Sequence, residues 1–294
     1  MIVVTGSSGF VGTSLVTRLV EEGHDVVGID RRLPFVDHGA PTEVAELSRP
    51  SPTARRLLAN AEAVVHLAAR PGVRAGGPNI DHERWRDNVL APRRVVSAMD
   101  PAAHLVVTSS SSVYGGSRLG RPCHEDQALL PIGGYARSKV LTERECRRHP
   151  GPTCVLRPFT IVGEHQRPDM ALARWIALAE RGESLTVYGS LGRTRDLTDV
   201  AAVVRAIVVV LDRTTTGTLN VGTGTAVTLG ECVDVVRRTV RDVPVRVVPS
   251  VADEPADTLA DLTRCAATLG FVPTTSLVDV VERQWLASAI ASVS

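Results

Sequence analysis

Tyr135 and Lys139 are the two residues whose types and spacing most directly permit chemistry. The chain carries 33 lysine and arginine residues, and Lys139 is its single lysine. A sequence that writes every other cation as arginine has kept an ammonium where a compact charge is needed and a planar fork is not. Tyr135, one of three tyrosines, stands four residues earlier. Four residues is just over one helical turn, which puts both on one face with Cβ atoms about 5–6 Å apart. A cation there stabilises tyrosinate. The pair therefore predicts a phenol whose pKa falls from about 10 toward neutrality and which can carry a proton.

A second constellation lies near the start. Thr5-Gly6-Ser7-Ser8-Gly9-Phe10-Val11-Gly12 follows a short apolar run and leads into the helical spacing of Val11, Leu15, Val16, Leu19 and Val20. Gly6, Gly9 and Gly12 let the backbone turn sharply and approach a pyrophosphate. Ser8, Phe10 and Val11 bring N–H groups at the positive end of the helix. Asp30 ends the next apolar run, eighteen residues after Gly12, where a carboxylate meets the ribose hydroxyls of an adenosine. The cofactor expected is NAD, because Asp30 repels a 2′-phosphate. Arg31 and Arg32 beside it could attract one, which keeps NADP as the alternative.

These groups need a frame. Nearly continuous apolar runs at Ile2–Val4, Val26–Ile29, Ala63–Leu67, Leu105–Val107 and Cys154–Leu156 suit strands buried on both faces. Helical segments alternate with them, including Asn79–Met99 and Gly134–Arg148. The expected class is α/β, a Rossmann-type doubly wound parallel sheet with a smaller α/β substrate-binding lobe. After Arg157 the pattern changes: helices near Pro168–Arg181 and Leu229–Val240 alternate with strands at Leu185–Val187 and Val245–Val248. Val200–Leu211 and Thr218–Val221 look like a further helix and strand of the main sheet. The dinucleotide-binding domain is thus placed at 1–157 with about 196–222, and the lobe at about 158–195 with 223–294.

Composition narrows the function classes. Net charge is +1 over 294 residues, with both signs mixed along the length, so there is no basic stripe for nucleic acid. No apolar run approaches the roughly 20 residues that span a membrane. The chain opens on a strand, without the charged and apolar regions of a secretory signal. Five scattered cysteines form no metal-binding spacing and read as free thiols. The expected location is cytoplasmic, with no metal.

Seven motifs, in order, resemble the extended short-chain dehydrogenase/reductase family, in particular its nucleotide-sugar epimerases and dehydratases. They are TGSSGFVG at Thr5–Gly12, HLAA at His66–Ala69, TSSSSVYG at Thr108–Gly115, YARSK at Tyr135–Lys139, LRPFTIVG at Leu156–Gly163, RDLTDV at Arg195–Val200 and NVGTG at Asn220–Gly224. The resemblance spans nearly the whole chain. It implies that Tyr135 is the acid/base, that Lys139 holds the nicotinamide ribose, and that Ser110 hydrogen-bonds the reacting oxygen. Leu67, Ala68, Ala69 and Thr108 would line the cofactor, and Asn88 would support the site from behind. A homodimer is the family's habit.

The resemblance also bears on the reaction. Dehydrating members carry Asp-Glu immediately after the catalytic Thr; here Ser111 and Ser112 stand there. That disfavours elimination and leaves 4-epimerisation: Tyr135 takes the C4 proton, hydride passes to NAD, and the 4-keto sugar turns over before hydride returns. LRPFTIVGEHQRPDMA (Leu156–Ala171) and AARPGVR (Ala68–Arg74) look most like UDP-glucuronate 4-epimerases. In those enzymes residues matching Thr108, Ser109, Ser110, Thr160 and Arg167 surround the substrate carboxylate. A neutral UDP- or dTDP-hexose is the other option, with Arg167 paired to Asp169 instead.

Arg195 matches the arginine that grips the nucleotide diphosphate. Two positions depart from the pattern. Glu254-Pro255-Ala256-Asp257 occupies the place of a second diphosphate arginine, for which Arg193 or Arg74 would compensate. Gly133-Gly134 replaces Ser-Pro before Tyr135, which is expected to loosen the approach to the catalytic helix. Two rivals use the same frame: an NADPH-dependent 4-ketoreductase of deoxysugars, and a dinucleotide-sensing binding protein, which would not need Tyr135, Lys139 and Ser110.

Overall fold

The computed structural model describes residues 1–72, 76–117, 121–250 and 255–291. Seven strands form one parallel sheet: β1 (Ile2–Thr5), β2 (Val26–Asp30), β3 (Thr42–Val44), β4 (Ala63–His66), β5 (His104–Thr108), β6 (Thr153–Pro158) and, after three strands belonging elsewhere, β10 (Gly217–Val221). Their order is β10-β6-β5-β4-β1-β2-β3. The chain runs outward from β1 in one direction through β2 and β3, then restarts at β4 on the other side. A doubly wound sheet of this kind has its switch point between β1 and β4, and ligands bind at the carboxyl ends there.

Why the strands are continuously apolar is visible residue by residue. Ile2 and Val4 pack into one core with α1 (Phe10–Glu21) and α7 (Val200–Asp212), while Val3 packs into another with α2 (Pro52–Ala59). Val64 and Val65, Val106 and Val107, and Leu156 and Val155 divide between the two cores in the same way. Both faces are covered, so alternation with polar residues would bury unpaired groups.

The helix expected over Asn79–Met99 is interrupted. It comprises α3 (Ile80–Trp85), a π turn at Arg86–Leu90 and α4 (Ala91–Ala98). Pro92 has no N–H to offer the carbonyl four residues before it, that of Asn88. Thr142, on α5 (Gly133–Cys146), donates its hydroxyl to that carbonyl at 2.6 Å. The break in one helix is thus sealed by the other.

The remaining elements build a smaller lobe. β7 (Thr160–Val162), β9 (Thr194–Asp199) and β11 (Ala226–Thr228) form a three-stranded sheet, and β8 (Leu185–Tyr188) pairs with β12 (Val245–Val248). α6 (Ala171–Glu180), α8 (Leu229–Thr239) and α10 (Leu277–Ala291) enclose its core through Trp175, Ile176, Val233, Val236, Val280 and Val281. One element departs from the expected division. α9 (Thr263–Leu269) lies within 223–294 but joins the main-sheet core, where Cys265 and Leu269 are buried with residues of α7 and β10. Among the described residues no helix is long and apolar enough to cross a membrane.

Candidate active site

The glycine turn sits at the carboxyl end of β1. Gly6 has φ +73°, and a Cβ there would lie 2.7 Å from the Ala68 nitrogen; one on Gly12 would lie 2.0 Å from the Gly6 carbonyl oxygen. The turn therefore packs flush against the segment after β4, with no room for side chains at either position. α1 starts from Gly9 with no side-chain cap and no acid in its first turn. Its leading N–H groups and positive end suit an anion. Asp30 is held over the turn, accepting from the Ser8 N–H at 3.1 Å and the Arg32 N–H at 3.3 Å. A tight backbone cradle, an uncapped helix start and a carboxylate at the next strand end together fit a dinucleotide with free ribose hydroxyls.

Arg31 is placed differently from expectation. Its Nη2 is 3.0 Å from Asp87 Oδ2, and its Nε lies 3.6 Å from Glu46. Asp87 is buried and is also gripped by Arg86. Burial works against the Asp87 carboxylate, yet the two guanidiniums hold its pKa below the usual range. Arg31 is thus paired with an internal carboxylate, while its side chain stays partly exposed.

At the ends of β4 and β5 the second group of residues converges. Ser110 accepts from the Ser112 N–H at 3.2 Å, and its side chain favours the ionised form of the Tyr135 phenol. Lys139, buried one turn on, donates to the Thr108 carbonyl at 2.6 Å. Burial lowers the Lys139 pKa to about 8. The Thr108 hydroxyl is buried and has no hydrogen-bond partner among the described residues. His66 bonds the Thr5 hydroxyl at 2.8 Å; burial, and then the Lys139 charge, push its pKa down to about 3 and keep it neutral.

The expected depression of the Tyr135 pKa is not what the protein shows. Burial raises it, and what pulls it back is the Ser110 side chain and the charges of Arg167 and Arg84. The Lys139 ammonium points to the end of β5 instead, so the two charges that act on the phenol come from other elements.

The resemblance put Asn88 behind the site, but did not give the bonds by which it and its neighbours hold this helix in place. Asn88, in the π turn, donates to the Ser138 hydroxyl at 2.8 Å, and Ser138 donates to the Tyr135 carbonyl at 2.7 Å. The Asn88 amide also bonds both backbone groups of Arg70, tying the segment after β4 to α5. Further along, Glu143 receives the Arg157 guanidinium at 2.9 and 2.8 Å. Arg157 continues to the Tyr114 hydroxyl at 3.0 Å, and Tyr114 donates to Asn220 at 2.7 Å. This buried chain links α5, β6 and β10. Arg157, set among Val155, Leu156, Pro158 and Phe159 in an apolar strand, was the signal that could have revealed it.

With this geometry in view, similarity to known proteins decides the family. Residues 2–222 match the model of the NAD dependent epimerase/dehydratase family. The chain belongs to that family. A relative from Bacillus subtilis, described as an uncharacterized UDP-glucose epimerase, is 30% identical over 95% of this chain and 94% of its own. Among solved structures, MoeE5 in complex with UDP-glucuronic acid and NAD is 34% identical, with TM-score 0.88 and 99% of each chain covered. The Bacillus cereus UDP-glucuronic acid 4-epimerase, solved with UDP-glucuronic acid and NAD, is 26% identical with TM-score 0.88, covering 100% of this chain and 99% of its own. This epimerase/dehydratase family member is an enzyme, and its cofactor is NAD.

On the substrate side of this family member, the candidates are spread over the lobe. Thr160 opens β7 and is partly buried. Arg167 forms a two-pronged pair with Asp169 at 2.9 and 3.0 Å, and its charge reaches the Tyr135 phenol. Ser109 is buried at the end of β5. Arg195 bonds the backbone carbonyls of Ala256 at 2.7 Å and Pro255 at 3.1 Å. Asp257 accepts from the Thr194 N–H and hydroxyl at 2.9 and 2.8 Å, so this carboxylate braces β9. Arg74 and Glu254 lie outside the described residues.

Gly133-Gly134 does not loosen the helix start. Gly133 has φ +78°, which a Ser would adopt only under strain, and the space beside Gly134 is filled by the Arg84 guanidinium.

Proposed function

We propose that this enzyme is a UDP-sugar 4-epimerase with UDP-glucuronate as substrate. The observation that carries the reading is the Lys139–Thr108 contact at the end of β5, one helical turn from Tyr135, with Ser110 beside it and Ser111 and Ser112 where an elimination would need carboxylates.

In this reading Tyr135 accepts the proton of the C4 hydroxyl and later returns it. Ser110 hydrogen-bonds the same oxygen and fixes its distance from the phenol. NAD, when bound, accepts the C4 hydride and gives it back to the opposite face of the 4-keto sugar. Lys139 and Thr108 line the same strand end, where an ammonium and a hydroxyl suit ribose hydroxyls. The Gly6–Gly12 turn and the start of α1 hold the pyrophosphate, Asp30 holds the adenosine ribose, and Leu67, Ala68 and Ala69 form the wall beside it. Thr160 and Arg167 meet the sugar carboxylate, Arg167 exchanging Asp169 for it, while Arg195 faces the diphosphate. Arg31, paired with Asp87, does not favour an NADPH-dependent reductase.

MoeE5 is solved both with UDP-glucuronic acid and with UDP-glucose, while the Bacillus cereus enzyme, solved with UDP-glucuronic acid, supports the choice of sugar. Its test is Arg167→Ala. Loss of a charge-assisted contact of about 1.5–3 kcal/mol should raise KM for UDP-glucuronate about 10- to 100-fold more than KM for UDP-glucose, whereas kcat, which the same charge influences through Tyr135, should change alike for both. An equal effect on both KM values would overturn the carboxylate assignment.

A further inference from the structure

Arg84 was not among the residues marked by sequence motifs. It lies on α3, is 7% exposed, and stands against the start of the catalytic helix. A Cβ on Gly134 would come within 2.5 Å of Arg84 Nη1 and 3.0 Å of Asp81 Oδ1. The guanidinium thus occupies the volume that a side chain at 134 would take. Nη2 donates to the Gly72 carbonyl at 3.1 Å and Nη1 to Asp81 at 3.2 Å. Asp81 is 87% exposed, so solvent screens that partner. One side chain therefore joins the segment after β4, helix α3 and the residue preceding Tyr135.

We propose that Arg84 is a positioning residue for the catalytic tyrosine, seating the first turn of α5 through the space left by Gly134 and bringing a permanent positive charge to the Tyr135 phenol. The inference rests on the role of Tyr135 proposed above. An arginine suits it because the guanidinium never deprotonates and its planar fork can serve two oxygens while one edge lies flat on a glycine. It also explains why the helix starts with two glycines. Gly133 makes the left-handed turn, and Gly134 makes room for the cation.

The charged groups around the phenol are few and come from several elements. Arg84 approaches from α3, and Arg167 from the segment between β7 and α6, itself paired with Asp169. Lys139 lies on α5 but is turned to the Thr108 carbonyl, with neutral His66 of β4 near it. Ser110, after β5, is the polar side chain that favours the ionised phenol. Burial opposes ionisation of the phenol, and a cation nearby favours it. Removing Arg84 should therefore raise the pH at which Tyr135 ionises.

The experiment is an ultraviolet absorbance titration of tyrosinate in the purified, NAD-loaded protein, comparing wild type, Arg84→Gln and Arg84→Lys. The Tyr135 step is assigned by its loss in Tyr135→Phe, and burial sets Tyr114 apart at about 12. In Arg84→Gln the step should move up by about one pH unit, a tenfold change in the ionised fraction on the acid side. Arg84→Lys should leave it near its wild-type position. An unmoved step in Arg84→Gln would overturn the proposal and reduce Arg84 to a packing role. If Arg84→Gln does not fold, Gly134→Ala displaces the guanidinium instead, and the same upward movement is expected; an unmoved step there has the same contrary meaning. The titration reads Tyr135 whether or not it is the catalytic base. Retained turnover in Tyr135→Phe would instead sink the proposed function.

Discussion

Glu143 and Arg157 face each other as a doubly hydrogen-bonded ion pair, each 4% exposed, one turn beyond Lys139 on the catalytic helix. Burial disfavours both charges, and each is held ionised by the other: the Glu143 carboxyl lies below its ordinary range and the Arg157 guanidinium above its own. Removing one partner leaves a buried charge uncompensated. Glu143→Ala should therefore cost about 3–5 kcal/mol, read as a lower urea midpoint. A loss within about 1 kcal/mol, the range of exposed ion pairs, would contradict this. Because the folded Glu143 pKa is depressed, its stabilisation is present above the unfolded carboxylate pKa and is lost as pH falls through the folded one.

Lys139 presents the opposite balance. Its ammonium is buried with a carbonyl as partner, and its pKa lies at about 8, below the ordinary 10.5. Holding that charge costs about 3 kcal/mol, from roughly 1.4 kcal/mol per pH unit. Lys139→Met should abolish turnover yet leave the protein as stable or more stable at pH 7. The advantage of the variant should shrink as pH rises from about 8 toward 10.5, where the wild-type lysine sheds its proton in both states. Thermal unfolding at pH 7 and pH 10 compares the two; a variant clearly less stable than wild type at pH 7 would contradict the account.

What the sequence made legible is the set of features whose signal is local. Gly6, Gly9, Gly12 and Asp30 lie within one strand–helix–strand unit, and Tyr135 and Lys139 within two helical turns. The strands showed because both sheet faces are buried. β3 did not show, being three residues long with Val44 exposed. α9 lies in the stretch assigned to the lobe, because nothing in its own residues says which core Cys265 and Leu269 will enter. The electrostatics of Tyr135 were misjudged for a related reason. Spacing put Lys139 on the same helix face, but only tertiary structure aims its ammonium at Thr108 and brings in Arg84 and Arg167. The pairing of Arg31 with Asp87, across 56 positions of sequence, was equally invisible.

That last pair yields a prediction about cofactor choice. Asp87→Asn weakens the hold on Arg31, freeing a guanidinium beside the adenosine end. The variant should bind NADP more tightly than wild type, by about tenfold, while its NAD affinity changes little. Fluorescence titration with the two reduced cofactors measures both. An unchanged NAD-to-NADP preference would mean that Asp30 alone sets the selectivity.

The most direct test of the central claim is an NMR time course of the purified protein with UDP-glucuronate in D2O, with no cofactor added. Epimerisation through Tyr135 and tightly held NAD predicts conversion to UDP-galacturonate with hydrogen, not deuterium, at C4, since the hydride that leaves is the one that returns. Failure to convert, or deuterium at C4, would contradict the account.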